Sequence, residues 1–312
     1  MTDAYWAGAA ERDEIVEFID YVFSKAHRPH DFASLLPKLY GEGGDGAVHH
    51  FVVREDGKLA ATVLAYPMTL HIGKTPLTVL GVGSVSTHPR MRGRGYMQLF
   101  MDAVDARARE TDAAFAVLGG QRQRYQYFGY DYCGYQLHGQ FTPDNARHAL
   151  RALDTADDEL IPMTRAHVPQ AIALLERQPC FCGRCGEAYL DILRSWNNEP
   201  FALLKGGKPA GFGALRRNEG SCHIAELLLE DEADFPAAMK LLCARYGALT
   251  LCAAPWQRSR AKWISSVCEE FAVQPNSMFK FYQMERVRAA CAPLDGFLPQ
   301  ALPLYLAPPD CV

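Results

Sequence analysis

Apolar and polar residues alternate along this chain with periods that predict a mixture of helices and strands. Near the N-terminus an apolar face recurs at helical spacing, at Ile15, Phe18, Ile19, Val22 and Phe23. This spacing predicts an amphipathic helix that packs one face on a core.

Two β-hairpins and a helix are predicted next. Apolar segments 50–54 and 59–66 flank a turn at Asp56-Gly57, and a second hairpin turns at Gly73-Lys74. An apolar strand, 79–85, runs into a loop rich in arginine and glycine, and helical spacing resumes from Met97 to Ala108. Strands at 115–118 and 135–141 are expected to complete a first unit, and the polar segment 142–159 is interpreted as a linker.

The second half of the chain repeats this order of elements. Its predicted helices and strands are helices 167–177 and 235–246 and strands 201–204, 210–215, 224–229 and 249–253. The last segment, 289–312, contains five prolines but is too apolar for a disordered tail. We therefore expect it to pack in an extended form along the protein.

Length and charge narrow the class of protein. A chain of 312 residues can form two domains with their own cores. The formal net charge of −4 gives no basic surplus, so nucleic acid is not expected as a partner. The chain contains no apolar run of 18 residues and no apolar leader in its first thirty. We therefore expect a cytoplasmic protein that does not interact with membranes, in which the ten cysteines are reduced thiols.

Three of these cysteines lie close together. Cys180, Cys182 and Cys185 fall within six residues and could ligate zinc with Cys222 or His223. A second Cys-x-x-Cys pair, which structural zinc sites use, is missing, so no metal is expected.

The candidate chemistry is concentrated in the loop after strand 79–85. Residues 88–97 read His-Pro-Arg-Met-Arg-Gly-Arg-Gly-Tyr-Met. Glycine allows close backbone approach, a helix N-terminus presents free N–H groups, and arginine adds charge-assisted hydrogen bonds, so the loop suits a phosphate. It is not a Walker loop, which needs Gly-Lys-Ser/Thr. It is not a dinucleotide fingerprint either, because Gln98 stands where the third glycine is needed.

This loop resembles the pyrophosphate loop of the GNAT superfamily of acyl-CoA-dependent N-acyltransferases, [QR]-x-x-G-x-[GA]. In the register set by Pro89 the matching residues are Arg92, Gly93, Arg94, Gly95, Tyr96 and Met97. Met97 departs from the pattern at its last position. An earlier register, 90–95, fits every position but lies closer to the proline.

A second resemblance lies about thirty residues downstream. Residues 125–130, Tyr-Gln-Tyr-Phe-Gly-Tyr, resemble the superfamily motif F-Y-x-x-x-G-F, whose tyrosine protonates the departing CoA thiolate. The matching residue is Tyr125, and a phenol with a reference pKa of about 10 remains protonated at neutral pH. A packed aromatic cluster is the alternative interpretation.

Residues 81–89 and the Tyr-x-x-Phe-Gly-Tyr ending resemble the enhanced-intracellular-survival (Eis-like) branch of the superfamily. The resemblance implies an α/β (α+β) fold of tandem GNAT-like domains, each with a mixed, mainly antiparallel central sheet flanked by helices. The expected units are a catalytic domain at 1–145, a degenerate GNAT-like domain at 158–288 and the tail at 289–312. The C-terminal sterol-carrier-like domain of that branch is expected to be lacking.

The resemblance also implies where acetyl-CoA binds as a co-substrate. Its pyrophosphate is expected on the loop amides, its pantetheine beside the preceding strand and its thioester near the following one. The expected contacts are Val85, Ser86, Thr87, Arg92, Gly93, Arg94, Gly95, Tyr96, Met97, Gln98, Gly120 and Gln121. The corresponding loop of the second unit, 230–234, reads Glu-Asp-Glu-Ala-Asp and would repel a pyrophosphate, so one site per chain is predicted.

The general base is harder to assign. Residues 77–94 include no carboxylate, and His88 is the one titratable base among them. Eis-like enzymes are thought to use the C-terminal carboxylate, so the resemblance implies Tyr125 and Val312 as catalytic residues. A tail that only covers apolar surface is the alternative.

The function that these features favour is acetyl transfer from acetyl-CoA to a primary amine of a small molecule or peptide (EC 2.3.1 class). The amine attacks directly, so no cysteine nucleophile is needed. A non-catalytic acyl-CoA-binding regulatory module and a zinc-dependent interaction protein are the alternatives, and self-association is left open.

Overall fold

The computed structural model describes residues 2–26, 29–298 and 301–312. Its strands are β1 Thr2–Trp6, β2 His50–Glu55, β3 Lys58–Ile72, β4 Thr75–Thr87, β5 Phe115–Leu118, β6 Asp131–Cys133, β7 Gln136–Phe141, β8 Asp158–Pro162, β9 Cys180–Cys182, β10 Glu199–Lys205, β11 Lys208–Asn218, β12 Ser221–Leu229, β13 Ala248–Ala253, β14 Glu270–Gln274 and β15 Ser277–Phe281. Its α-helices are α1 Arg12–Ala26, α2 Phe32–Leu35, α3 Pro37–Tyr40, α4 Tyr96–Glu110, α5 Arg122–Tyr125, α6 Pro143–Ala149, α7 Val168–Glu176, α8 Tyr189–Arg194, α9 Phe235–Tyr246, α10 Arg258–Val267 and α11 Met284–Cys291. None of these helices is long and apolar enough to cross a membrane.

The strands form two mixed, mainly antiparallel sheets with helices packed around them, as the sequence predicts. The first sheet has the order β1-β2-β3-β4-β5-β15-β6, with β9 paired to β3, and the second has the order β14-β7-β13-β12-β11-β10-β8. Each sheet has one parallel pair, β4 with β5 and β12 with β13, and a helix connects the two strands of each pair.

Each parallel pair separates soon after it forms. Pairing of β4 with β5 ends at Gly81, although β4 continues to Thr87. Pairing of β12 with β13 ends at His223, although β12 continues to Leu229. Each sheet therefore contains a cleft between two diverging strands, on the side where a loop leads into the crossover helix.

The local elements follow the apolar pattern closely. Helix α1 buries Ile15, Phe18, Ile19 and Val22 on one face. The β2–β3 turn takes positive φ at Asp56 and Gly57, which is the tight-turn geometry that an Asp-Gly pair favours. Both hairpins, the strand at 115–118 and the repeat of elements in the second half are confirmed.

The two sheets exchange strands. The prediction that residues 135–141 close the first unit is wrong, because β7 pairs with β13 and β14 in the second sheet. Alternation along β7 places Leu137 and Phe141 in the core of that sheet. Strand β15 lies between β5 and β6 in the first sheet. The division into units at 1–145, 158–288 and 289–312 stays a prediction, and the exchange ties the first two together.

The segment 142–159 is not a plain linker. It begins with α6, whose first turn is fixed by reciprocal hydrogen bonds between Thr142 and Asn145 at 2.9 and 3.2 Å, and Pro143 occupies the first helical position. The segment ends as β8 starts at Asp158.

The described part of the tail is extended and packed from residue 292 onward, whereas residues 289–291 of the predicted tail are the last turn of α11. After α11 it contains one short 3₁₀ turn, Pro308–Asp310, and Leu304 and Leu306 are fully buried against the first sheet. Residues 299 and 300 of the predicted tail lie outside the described residues.

Candidate active site

The loop between β4 and α4 forms an open backbone turn at a helix N-terminus. After a short 3₁₀ turn at Pro89–Met91, Gly93 and Gly95 take φ values of 80° and 81°, and α4 begins at Tyr96. No atom lies within 4 Å of the position that a Cβ would take on either glycine. Left-handed residues in such a turn direct successive N–H groups to one side, which is how backbone binds an anion.

The backbone donors of this loop are free. Within the described part of the chain, the N–H groups of residues 93–97 donate to no backbone or side-chain acceptor, whereas Gln98 donates to the carbonyl of Gly95 at 3.1 Å. The partial positive charge of the α4 N-terminus adds to this donor set.

Two of the three arginines of the loop, Arg92 and Arg94, differ in their contacts. Arg92 is exposed and forms no ion pair with a described residue. Arg94 pairs with Glu55 at the end of β2, and the Tyr96 hydroxyl donates to the same carboxylate. The bond from Tyr96, and then that from Arg94, lowers the pKa of Glu55. Arg92 is therefore available to a phosphate, while Arg94 and Tyr96 hold the loop on the first hairpin.

The other residues predicted to contact acetyl-CoA offer it mainly their backbone groups rather than their side chains. Met97 packs against the core of the first sheet, and the Gln98 amide donates to Asp102 at 2.9 Å. On β4, Val85 and Thr87 are partly exposed, but Ser86 is only 1% exposed and its hydroxyl has no hydrogen-bond partner among the described residues. Val85, Ser86 and Thr87 therefore offer mainly the unpaired backbone edge of β4. That this edge lies beside pantetheine stays a prediction.

A β-bulge in β4 is held by a buried series of hydrogen-bonded side chains that the sequence did not predict. The bulge falls at Ser84, whose φ is 49°. The Tyr40 hydroxyl lies 3.0 Å from the Ser84 hydroxyl and 2.7 Å from Nε2 of His50, whose Nδ1 lies 2.8 Å from the Thr62 hydroxyl.

The direction of these hydrogen bonds can be assigned. The Thr62 hydroxyl donates to the carbonyl of Phe51 at 3.1 Å, so it accepts from Nδ1–H of His50. Nε2 of His50 then accepts from Tyr40, whose oxygen accepts from Ser84. Burial lowers the pKa of His50 to about 3, which keeps the ring neutral as this arrangement requires.

Tyr125 lies at the C-terminal end of α5, just past β5. It is 6% exposed, and its ring packs edge-on against Tyr130 with centroids 6.3 Å apart. The ring also lies against Gly120, where a Cβ would stand 3.0 Å from Cε2 of Tyr125. Burial raises the pKa of Tyr125, so its phenol stays protonated at neutral pH. The exposed Gln121 is the N-cap residue of the same short helix.

The last residue of the tail lies in the first cleft. A small pocket forms where β4 and β5 separate, with about 230 Å³ of empty space, open solvent included, and with Gly81, Gly119 and Val312 in its wall. A Cβ on Gly83 would stand 2.9 Å from the backbone carbonyl carbon of Val312. Val312 and Gly119 therefore line one pocket, and Gly120, on which Tyr125 packs, is the next residue in the chain. Since strands rise about 3.3 Å per residue, about 13 Å of open β4 edge separates Gly83 from Thr87, where the loop begins.

Side chains from both halves of the chain anchor this end of the tail. Lys38 of α3 donates to the carbonyls of Pro309 and Cys311 at 2.6 and 2.7 Å, and Trp196 donates to Cys311 at 3.3 Å. Burial lowers the pKa of Lys38 to about 8, although nearby Asp310 opposes the shift.

A buried ion cluster completes the anchor. The Arg184 side chain, 0% exposed, donates to both oxygens of Glu226 at 2.8 and 2.6 Å and to both oxygens of Asp310 at 2.8 Å. Removing one member of such a cluster leaves a buried charge uncompensated and typically costs about 3–5 kcal/mol. Asp310 is therefore tightly held two residues before Val312.

The second cleft has no comparable phosphate loop. The carboxylates of its loop, 230–234, form ion pairs with basic side chains of this protein. Glu230 pairs with Arg177, Glu232 with Arg260 and Asp234 with Lys205. The prediction of one acetyl-CoA site per chain, in the first sheet, stays a prediction.

The cysteine cluster is split by burial. Cys180 and Cys182 are buried on β9 and Cys185 is exposed, while Cys222 lies in the core of the second sheet. Burial raises the pKa of the Cys180 and Cys182 thiols. Among the described residues, no group of three or more histidines, cysteines and carboxylates could hold a metal ion.

Comparison with known proteins agrees with this geometry. Residues 7–133, which include the loop and Tyr125, match the family of acetyltransferase (GNAT) domains. No curated protein matches the chain.

Several solved structures share the fold. A probable N-acyltransferase of unknown function from Enterococcus faecalis V583 superposes with a TM-score of 0.72 at 14% identity, covering 91% of this chain and 73% of that one. A GCN5-related N-acetyltransferase from Kribbella flavida gives 0.68 at 15% identity, with 93% and 73% covered. Eis1 from Mycobacterium abscessus gives 0.65 at 14% identity, with 93% and 76% covered. At such identities the likeness concerns the fold.

Proposed function

We propose that this protein is an acyl-CoA-dependent N-acyltransferase of the Eis-like type that transfers an acetyl group from acetyl-CoA to a primary amine. The observation that carries the proposal is the loop at 92–98, where free N–H groups, positive-φ glycines and the exposed Arg92 meet at the N-terminus of α4. The match of residues 7–133 to acetyltransferase domains supports it.

The first cleft suits acetyl-CoA as a substrate. The loop would bind the pyrophosphate through backbone N–H groups and Arg92. The unpaired edge of β4 beyond Gly81 would hydrogen-bond the pantetheine amides as an added strand does. The cavity beside Gly119 and Val312 would receive the thioester end.

The amine nitrogen would attack the thioester carbonyl carbon, the new C–N bond replacing the C–S bond. In this proposal the Val312 carboxylate takes a proton from the amine, directly or through water, and Tyr125 donates its phenolic proton to the sulfur. The role of Val312 requires that it end the mature chain, which intact-mass measurement establishes first.

A covalent acyl-cysteine route is disfavoured at this cavity. Cys311 is the thiol in its described wall, and burial raises the pKa of Cys311 to about 11. A thiol with that pKa is a poor source of thiolate at neutral pH. Direct attack by the amine is therefore the simpler chemistry.

An acceptor screen tests the proposal. The purified protein is supplied with acetyl-CoA and a panel of polyamines, aminoglycosides and lysine peptides, and thiol release is followed. We expect turnover with at least one amine and none in the Gly95→Glu variant. Tight CoA binding without turnover on any amine would favour a non-catalytic acyl-CoA-binding module. Absence of CoA binding would refute both.

A further inference from the structure

A larger pocket lies in the second cleft, where β12 and β13 separate. It contains about 690 Å³ of empty space, which includes open solvent at its mouth. Its walls come from the second sheet and its helices, from β9, and from the tail. Most of the wall is apolar and includes Phe181, Leu228, Phe235 and Leu251.

Two residues that line this wall, Arg260 and Trp256, each have a buried hydrogen-bond donor without an acceptor among the described residues. Nε of Arg260 and Nε1 of Trp256 are buried and make no hydrogen bond in the described part of the chain. The Arg260 side chain is 4% exposed, and its other nitrogens donate to the Leu227 carbonyl at 3.2 Å and to Glu232 at 2.7 Å. A buried donor without an acceptor is unfavourable, so an acceptor supplied by a ligand would be stabilising.

The two carboxylates on the same wall are already paired with a cation. Glu226 and Asp310 each receive hydrogen bonds on both carboxylate oxygens from Arg184. A ligand that donates, such as an amine, would find no free carboxylate here. The hydrogen-bond balance of the pocket therefore favours a ligand that accepts.

The surroundings of the Arg260 guanidinium favour the same kind of ligand. Arg260 has one carboxylate partner, Glu232, which is 43% exposed and therefore screened by solvent. Burial lowers the pKa of Arg260 despite this pair. The Arg260 guanidinium lies 4.5 Å from the centroid of the Phe235 ring. One face of the guanidinium therefore contacts an apolar ring, and its edge carries the N–H group that has no acceptor. A carboxylate is the acceptor that best matches a buried guanidinium.

We propose that the pocket in the second cleft binds a small carboxylic acid with an apolar body, its carboxylate toward Arg260 and Trp256. The apolar body lies among Phe181, Leu228 and Leu251. Tyr305 and Ala307 of the tail form one side of the same pocket, so the bound acid contacts the segment that ends at Val312. The site is separate from the first cleft, and its acidic loop at 230–234 disfavours a pyrophosphate.

Calorimetric titration of the full chain tests the site. The probes are butanoate, octanoate and phenylacetate, with octanamide and octylamine as neutral and cationic counterparts of octanoate. At least one acid should bind saturably, octanamide should bind about 10-fold more weakly than octanoate, and octylamine should not bind. Saturating CoA should leave acid binding unchanged, and hydrogen exchange at 305–311 should slow when the acid is bound.

Variants of one helix locate the binding. Arg260→Met should weaken acid binding about 10- to 100-fold, Arg260→Lys should restore part of it, and Lys262→Met, at an exposed position of α10, should change nothing. If Arg260→Met does not fold, the wild-type series decides. The proposal is overturned if none of the three acids binds, if octylamine binds as well as octanoate, if CoA displaces the acid, or if a folded Arg260→Met binds it normally.

Discussion

Lys38 and Cys311, which are 273 positions apart in the sequence, are joined by a 2.7 Å hydrogen bond from the Lys38 ammonium to the Cys311 carbonyl. This bond fixes the backbone immediately before Val312 at the cleft of the first sheet. The ammonium is largely removed from water, and burial lowers its pKa to about 8. The anchor of the tail therefore carries an electrostatic cost that depends on pH.

Stability should rise with pH because of Lys38. The pKa of Lys38 is lower in the folded chain, about 8, than its reference value of 10.5, so the unfolded state binds the proton more tightly between these values. The cost of burying the charge is full below pH 8 and is relieved as pH rises toward 10.5. The free energy of unfolding of the wild type should gain up to about 3 kcal/mol relative to Lys38→Met across this window. Urea titrations of both proteins measure it, and parallel pH profiles would contradict it.

Removing Val312 should reduce turnover while leaving the tail anchored. Deletion of this residue moves the terminal carboxylate away from Gly83 but keeps Asp310 paired with Arg184. We expect kcat to fall about 10²-fold or more, the usual scale for losing a general base, with unchanged affinity for acetyl-CoA. Deleting residues 310–312 should also lower stability, since Arg184 then loses Asp310. Normal kcat after removal of Val312 would return attention to His88 or a water chain.

Gly83→Ala should disturb the contact between β4 and Val312 by a change in β4 rather than in the tail. A Cβ there would lie 2.9 Å from the carbonyl carbon of Val312, closer than real Cβ contacts allow. The tail end must shift, so kcat should fall while acetyl-CoA affinity is retained. Gly8→Ala is the matched control, because no atom lies within 4 Å of its added Cβ. Equal kcat values for the two variants and the wild type would show that the position of Val312 does not matter.

Tyr125→Phe should separate chemistry from binding. The change removes the proton that the proposed mechanism gives to the thiolate, so kcat should fall about 10²-fold at unchanged acetyl-CoA affinity. Tyr127 is 82% exposed and serves as the control. If Tyr127→Phe lost as much activity, or Tyr125→Phe lost none, the assigned acid would be wrong.

The sequence predicts well where neighbouring residues determine the structure. The Asp56-Gly57 turn, the apolar face of α1 and the bounds of α9 all follow from local spacing and turn chemistry. The exchange of β7 and β15 could not be predicted, because alternation along β7 assigns a buried face but does not say which sheet buries it.

The site shows the same limit. The loop at 92–98 is a contiguous motif, so the sequence predicts it. The hydrogen bonds from Ser84 through Tyr40 to His50 join three segments that are separate in the sequence. A single histidine in an apolar strand carries no sequence signal for that role. The contacts of Lys38 and Arg184 with the tail span 271 and 126 positions, so only the folded chain reveals them.

The central claim is that residues 92–98 bind the pyrophosphate of acetyl-CoA. Gly95→Glu introduces a side chain and a negative charge at a left-handed position in the loop. Gly43→Glu is the matched control, with φ of 80° and no atom within 4 Å of its Cβ. Calorimetric titration with CoA should show binding to the wild type and Gly43→Glu and none to a folded Gly95→Glu. Unchanged CoA affinity in Gly95→Glu would contradict the account.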